Sequence, residues 1–297
     1  MKLLRIGYFA DGPWSHLALK KLLTDKTIKV QFICVRSDKP DEILRKIAIE
    51  NSINLFCHPN INSKEFINLV SGFPCELFIS MSFNQIFKKT MIDMPSLGAI
   101  NCHAGKLPFY RGRNVLNWVL INDEKEFGIT VHFIDEGIDT GNIILQRTYE
   151  ISDVDNYATL LNRAYEGCSA ILYDAIKLIQ AGAVITLNQL SIHPLGSYCI
   201  ARIEGDENLD WRQTSRDIFN FVRAICHPGP QAHTYLHNKE VMINRVILLP
   251  NATNFKGIPG SVIGVSDGSF LVKTMDSFIE VTDWSGYLNP RVGDRFK

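Results

Sequence analysis

The chain has no excess of charge: lysine plus arginine and aspartate plus glutamate both number 31, and the formal net charge is zero. No global basic field exists to gather a long polyanion such as tRNA, which leaves only local basic patches for binding anions. The seven cysteines, Cys34, Cys57, Cys75, Cys102, Cys168, Cys199 and Cys226, fall singly, with no C-x-x-C pair and no zinc-site spacing. Reduced, mostly buried thiols and no structural metal are expected. There is no H-E-x-x-H pattern either, and His132, alternating within an apolar run, reads as a packed side chain. No apolar run approaches the ~20 residues needed to span a bilayer. The start, residues 1–8, enters a strand pattern without the longer apolar core or cleavage site of a signal peptide, so a cytoplasmic protein with no membrane partner is expected. The loop Asp11-Gly12-Pro13-Trp14 after the first strand has one glycine where a dinucleotide-binding turn needs three, which argues against a nicotinamide cofactor.

What is present is a regular alternation. Of the 297 residues 46% are hydrophobic, enough for a sizeable core. Short apolar runs at 3–10, 29–35, 54–57, 76–80 and 99–103 alternate with helical patterns at 15–23, 41–51, 64–70 and about 85–93, the signature of a parallel sheet covered on both faces. A short helix at 115–121, strand-like runs at 128–134 and 142–151, and a helix over about 156–181 follow. In that last helix Leu161, Ala164, Cys168, Ile171, Ala175 and Ile179 recur at helical spacing. Beyond residue 189 the periodicity stops. The expected organisation is a mostly parallel α/β domain over 1–190, a linker over 191–204 and a small β-rich domain over 205–297. Thr214-x-x-Asp217 should cap a helix over 218–226, and strands are expected at 241–249, 261–265, 270–274 and 278–283, with Asp267-Gly268 as a hairpin turn.

The chemistry gathers around residues 101–141. Asn101 and His103 sit two apart at the end of the 99–103 strand, so their side chains leave one face together. Asp139 lies in a glycine-bounded loop after the 128–134 strand, where the backbone can turn a carboxylate toward the imidazole. An amide, an imidazole and a carboxylate can stabilise an oxyanion, move a proton and orient the proton carrier, as acyl transfer to an amine requires. Lys106, Arg111 and Arg113 add a local basic cluster, a candidate for pyrophosphate contacts.

The pattern Asn101-x-His103, then Leu107-Pro108, then Tyr110-Arg111-Gly112, then Asp135-Glu136-Gly137-Ile138-Asp139-Thr140-Gly141 resembles the formyltransferases that use N10-formyltetrahydrofolate. The resemblance covers nearly the whole chain and implies a Rossmann-like catalytic domain with Asn101, His103 and Asp139 as catalytic triad. It also implies a folate pocket lined by Ser82, Phe83, Asn84, Gln85 and Ile86 together with Asp135, Gly137 and Ile138. Within that family, Lys106 to Asn114 with Asn117-Trp118 resembles the sugar N-formyltransferases. Initiator-tRNA enzymes usually read Ser-Leu-Leu-Pro where Gly105-Lys106-Leu107-Pro108 stands here. The resemblance therefore implies an acceptor that is an amino-deoxysugar carried on dTDP, UDP or GDP, serving bacterial surface polysaccharide (O-antigen) synthesis, with no nucleic-acid partner. Lys106, Tyr110, Arg111, Gly112, Arg113, Asn114 and Trp14 are the expected substrate contacts. The tail, with its short β-segments suited to edge pairing, is expected to support a homodimer. A methionyl-tRNA formyltransferase, a formyltetrahydrofolate hydrolase and a non-catalytic folate-binding module are the alternatives.

Overall fold

The computed structural model describes residues 2–286 and 289–297. In chain order its elements are β1 (Leu4–Ala10), α1 (Gly12–Thr24), β2 (Ile28–Val35), α2 (Glu42–Glu50), β3 (Asn54–Cys57), α3 (Lys64–Ser71), β4 (Leu77–Met81), α4 (Lys89–Ile92) and β5 (Ala99–His103). There follow β6 (Arg111–Gly112), α5 (Val115–Ile121), β7 (Glu126–Phe133), β8 (Ile143–Glu150), α6 (Tyr157–Gln180) and the two-residue β9 (Tyr198–Cys199). The chain closes with α7 (Ser215–Ile225), β10 (Ala232–Leu236), β11 (Lys239–Ile247), β12 (Val262–Ser266), β13 (Ser269–Lys273) and β14 (Phe278–Ser285).

Two compact units result, and chain order does not separate them. The first comprises residues 1–112, 127–149 and 162–199, and the second 113–126, 150–161 and 200–297. The segment expected as a linker over 191–204 is thus divided between them near residue 199, and α5 belongs with the tail although it lies well before residue 190.

In the first unit a seven-stranded sheet runs β3-β2-β1-β4-β5-β7-β8. Strands β1 to β5 pair in parallel, whereas β5 and β7 pair antiparallel. Strands β1, β2 and β4 are buried almost throughout, as helices on both faces demand. On one face Phe9 meets Phe32, Phe66, Phe78, Phe83 and Phe87 edge-on, at ring-centroid distances between 4.7 and 6.3 Å. Each such pair adds about 0.5–1.5 kcal/mol beyond the area it buries, which anchors the segment after β4.

That segment departs from the helix expected over 85–93. Residues 82–88 are open loop and only Lys89–Ile92 is helical. The Gln85 side chain accepts from Ile61 N at 2.9 Å and donates to His58 O at 2.8 Å, bonds that tie it to the loop after β3.

The second unit holds an antiparallel sheet in the order β10-β11-β14-β13-β12. Helix α7 opens on the expected cap: Thr214 accepts from Asp217 N at 3.1 Å. It packs on β11 and on α5, where Asn117 Nδ2 donates to Ala224 O. Asp267-Gly268 turns between β12 and β13 as expected. Strand β10 was not expected. It enters β11 through His237-Asn238, both with positive φ (50° and 62°), a two-residue hairpin turn without the usual glycine.

Candidate active site

The antiparallel register of β5 with β7 sets Asn101 opposite His132 and His103 opposite Thr130. Residues two apart on one strand and their cross-strand partners share a face, so these four side chains converge over the sheet. Asp139, from the loop between β7 and β8, closes the group. Its Oδ1 lies 3.4 Å from Asn101 Nδ2 and 3.5 Å from His132 Nε2, and its Oδ2 lies 3.6 Å from His103 Nδ1. Gly112 N donates to Oδ2 at 2.9 Å.

Hydrogen-bond partners fix the protonation pattern of both rings. His103 Nε2 lies 2.7 Å from the Tyr110 carbonyl, which can only accept, so Nε2 carries hydrogen. Its Nδ1, farther from Asp139 than a hydrogen bond reaches, is the nitrogen left for a substrate atom. In His132, Nδ1 donates to Phe133 O at 2.8 Å, which leaves Nε2 to accept from the Asn101 amide at 3.3 Å. Were the Asn101 amide reversed, its oxygen would face the carboxylate and the His132 lone pair; the observed orientation keeps Nδ2 there.

Burial alone would raise the Asp139 carboxyl above its ordinary range. The neighbouring His103 ring, then the His132 ring and the Gly112 N–H, reverse this and hold it well below. The site thus keeps a buried carboxylate ionised beside two imidazoles.

The loop that follows β5 is pinned from β7 and β8. Thr130 Oγ1 donates to Gly105 O at 2.7 Å, and Gln146 Nε2 donates to Thr130 Oγ1 at 2.8 Å and to Leu107 O at 2.9 Å. A side chain at Gly105 would overlap His103 Nε2 and the Tyr110 carbonyl. One at Gly141 would overlap Phe133 O, so the sharp turn carrying Asp139 requires glycine there.

The structure brings Asn101, His103 and Asp139 together. Of the expected folate-lining residues, Phe83 is half-buried on the phenylalanine cluster, which Ile134 also contacts, while Ile86 and Ile138 are exposed. Ser82 takes φ 57°; Asn84 Nδ2 lies 3.3 Å from Asp38 Oδ1. Asp135 Oδ1 accepts from Gly137 N and from Thr140 Oγ1, which shapes its own loop. Among the expected substrate contacts, Lys106 is exposed, Tyr110 is half-buried, and Trp14 stands edge-on to Tyr165 at 4.8 Å. Arg113 and Asn114 are exposed and open the second unit, where Asn114 Oδ1 accepts from Arg202 N.

Arg111 is a correction. Its side chain is not poised for the expected pyrophosphate contact: only 4% exposed, the guanidinium donates to Gln189 Oε1 and Leu195 O. A phosphate would have to displace these bonds. His132, Thr130 and Gln189 are site residues that the sequence did not disclose. The alternation of the 128–134 strand carried a signal for the first two, since His132 and Thr130 share a face of it.

A mostly parallel α/β sheet that gathers an amide, two imidazoles and a carboxylate over one face defines an enzyme of the acyl-transfer kind. The chain belongs to the formyl transferase family: residues 5–176 match the model of the formyl transferase domain and residues 203–285 that of the formyl transferase C-terminal domain. It is a formyltransferase. Among curated proteins it is 28% identical to a methionyl-tRNA formyltransferase of Ruminiclostridium cellulolyticum, over 93% of this chain and 90% of that protein. It is 31% identical to the bifunctional polymyxin resistance protein ArnA of Wigglesworthia glossinidia brevipalpis, over 67% of this chain and 30% of that protein. Among solved structures it is similar to WlaRD, a sugar 3N-formyltransferase solved with dTDP and 5-N-formyl-THF. The TM-score is 0.70 at 22% identity, with 97% of this chain and all of that chain covered. A Helicobacter canadensis N-formyltransferase, solved with folinic acid and dTDP-3-aminofucose, gives a TM-score of 0.67 at 21% identity over 96% of this chain and all of that one. Among the described residues no helix is long and apolar enough to cross a membrane.

Proposed function

We propose that the protein is a sugar N-formyltransferase that moves a formyl group from N10-formyltetrahydrofolate to the amine of a nucleotide-linked amino-deoxysugar. The observation that carries this reading is Gly105. Initiator-tRNA enzymes have serine at this place in the motif, and here any side chain would collide with the His103–Tyr110 hydrogen bond. This departure in the loop 105–112 supports an acceptor other than tRNA. Zero net charge supports a small acceptor over a long polyanion.

The surface suits a folate. Phe83, Ile86 and Ile138 offer apolar contact beside the loop backbone at 82–86 and 135–138, as a flat ring system with polar edges requires. When bound, the folate supplies an activated formyl group. The Asn101 amide stabilises charge developing on the formyl oxygen, and His103 Nδ1 lies on the same side to share it. Asp139 bonds the Asn101 amide, faces the imidazole across 3.6 Å, and helps draw the proton from the attacking amine. Lys106, Tyr110, Gly112, Arg113, Asn114 and Trp14 remain the proposed acceptor contacts, and the nucleotide dTDP, UDP or GDP. The dTDP ligands of the two solved relatives favour dTDP. A cytoplasmic homodimer, feeding surface polysaccharide assembly, completes the proposal; sedimentation tests the dimer.

A second reading, methionyl-tRNA formyltransferase, is favoured by the 28% identity over nearly the whole chain. Incubation with formyl donor and, in separate arms, a panel of nucleotide-linked amino sugars and methionyl initiator tRNA, read by mass spectrometry, decides between them. Addition of one formyl group to a sugar nucleotide is expected. Formylation of methionyl-tRNA alone would replace the proposal with the second reading.

A further inference from the structure

Gln189 lies in a single turn of 3-10 helix, Gln189–Ser191, and only 1% of it is exposed. Every hydrogen-bonding position of its amide is used. Nε2 donates to the carbonyls of Asp139 and Gly141, both at 2.8 Å, and Oε1 accepts from Arg111 Nη2 at 2.7 Å and Nε at 3.1 Å. Arg111 is fixed in turn by Leu195 O at 3.2 Å and by the Tyr198 ring, 5.4 Å from its guanidinium carbon. The next residue, Gly112, gives its N–H to the Asp139 carboxylate. Asp139 itself takes φ 54°, a left-handed conformation that a non-glycine residue keeps only where its surroundings impose it.

We propose that Gln189, held by Arg111, is a positioning residue for the Asp139 carboxylate. It grips the backbone on both sides of the turn, while the Arg111-Gly112 strand grips the carboxylate, and the two grips are joined through the guanidinium. This rests on the reading of Asp139 as a catalytic group.

Gln189→Glu separates positioning from packing. Glutamate keeps the length and both acceptor bonds to Arg111 but puts an oxygen where two carbonyls need a donor. The variant should fold, as judged by circular dichroism, and keep KM for both substrates within about threefold. Its kcat should fall about 100-fold, the scale of an ångström-sized misplacement. A kcat within threefold of wild type overturns the proposal. Asp139→Asn is assayed beside it. If that variant is crippled and Gln189→Glu is active, positioning fails while the catalytic role of Asp139 stands. A fully active Asp139→Asn removes Asp139 from the mechanism and the proposal with it. The double variant should be no slower than the worse single one; multiplying losses overturn the proposal. Should Gln189→Glu fold poorly, Arg111→Lys, which loses the planar pair of N–H donors, should lower kcat about tenfold at unchanged KM, and an unchanged kcat overturns the proposal.

Discussion

Asn101 on β5 and His132 on β7 face each other across an antiparallel register, and their side chains meet at 3.3 Å. The imidazole nitrogen that accepts from the amide fixes which end of Asn101 is nitrogen. His132 should therefore matter to rate even though nothing requires it to touch the substrate. His132→Ala should lower kcat about 10- to 100-fold with little change in either KM, because the amide becomes free to rotate away from its productive orientation. A near wild-type kcat in steady-state assays would show that Asp139 alone orients the amide.

Loss of one preorganised oxyanion donor costs about two to three orders of magnitude in rate, so Asn101→Ala should reach that loss while still binding substrates. His103→Ala and Asp139→Ala should also fold and be severely slowed. Their double variant should lose little beyond the worse single one, since groups that act as a unit are not additive. Losses that multiply would separate the imidazole from the carboxylate in the mechanism.

The pH dependence follows from the depressed Asp139 carboxyl. A group whose folded pKa is lowered contributes stability that is present above its unfolded pKa and lost as pH falls through the folded one. Over about pH 5–8 Asp139 stays ionised and adds no inflection to kcat. An acid limb near pH ~4, the ordinary carboxylate range, would contradict the ionised carboxylate.

Asp123, in the second unit, offers the same test on stability. Its carboxyl is partly desolvated, yet hydrogen bonds from Arg216 lead the effects that bring it down to about 2, and Arg216 also bonds Asp153 at 2.7 Å. Asp123→Asn should lower the thermal midpoint at neutral pH. The difference from wild type should shrink as pH falls from about 4 towards the folded pKa. A difference independent of pH over that range would mean that the ion pair contributes nothing.

If the acceptor is the proposed sugar nucleotide, its binding should weaken only modestly with salt, because two phosphates would meet few basic groups and screening would remove few contacts. A tRNA acceptor would release many counterions and lose affinity steeply between low and moderate salt. Titrations of acceptor at two ionic strengths distinguish these slopes, and a steep one would favour the tRNA reading.

How much of this was legible depended on sequence distance. Asn101 and His103 are two residues apart on one strand, so the period of a strand alone puts them together, and the glycines around Asp139 announce its turn. The partners of Arg111 lie 78 and 84 residues away, so the sequence alone offers it as a pyrophosphate contact where it is a buried clasp. His132 required the β5–β7 register, which alternation does not supply. The 85–93 helix failed for a similar reason: Gln85 is committed to His58 and Ile61, and no local propensity records that.

The second unit draws on three separate stretches, 113–126, 150–161 and 200–297, and these are fastened to one another by Asn117 with Ala224 and by Arg216 with Asp123 and Asp153. It cannot be traded between relatives as a single terminal cassette. A chimera spliced only near residue 200 would pair α7 with a foreign α5 and strand Arg216 without its native carboxylates. Swapping all three stretches together is what would keep such a hybrid whole.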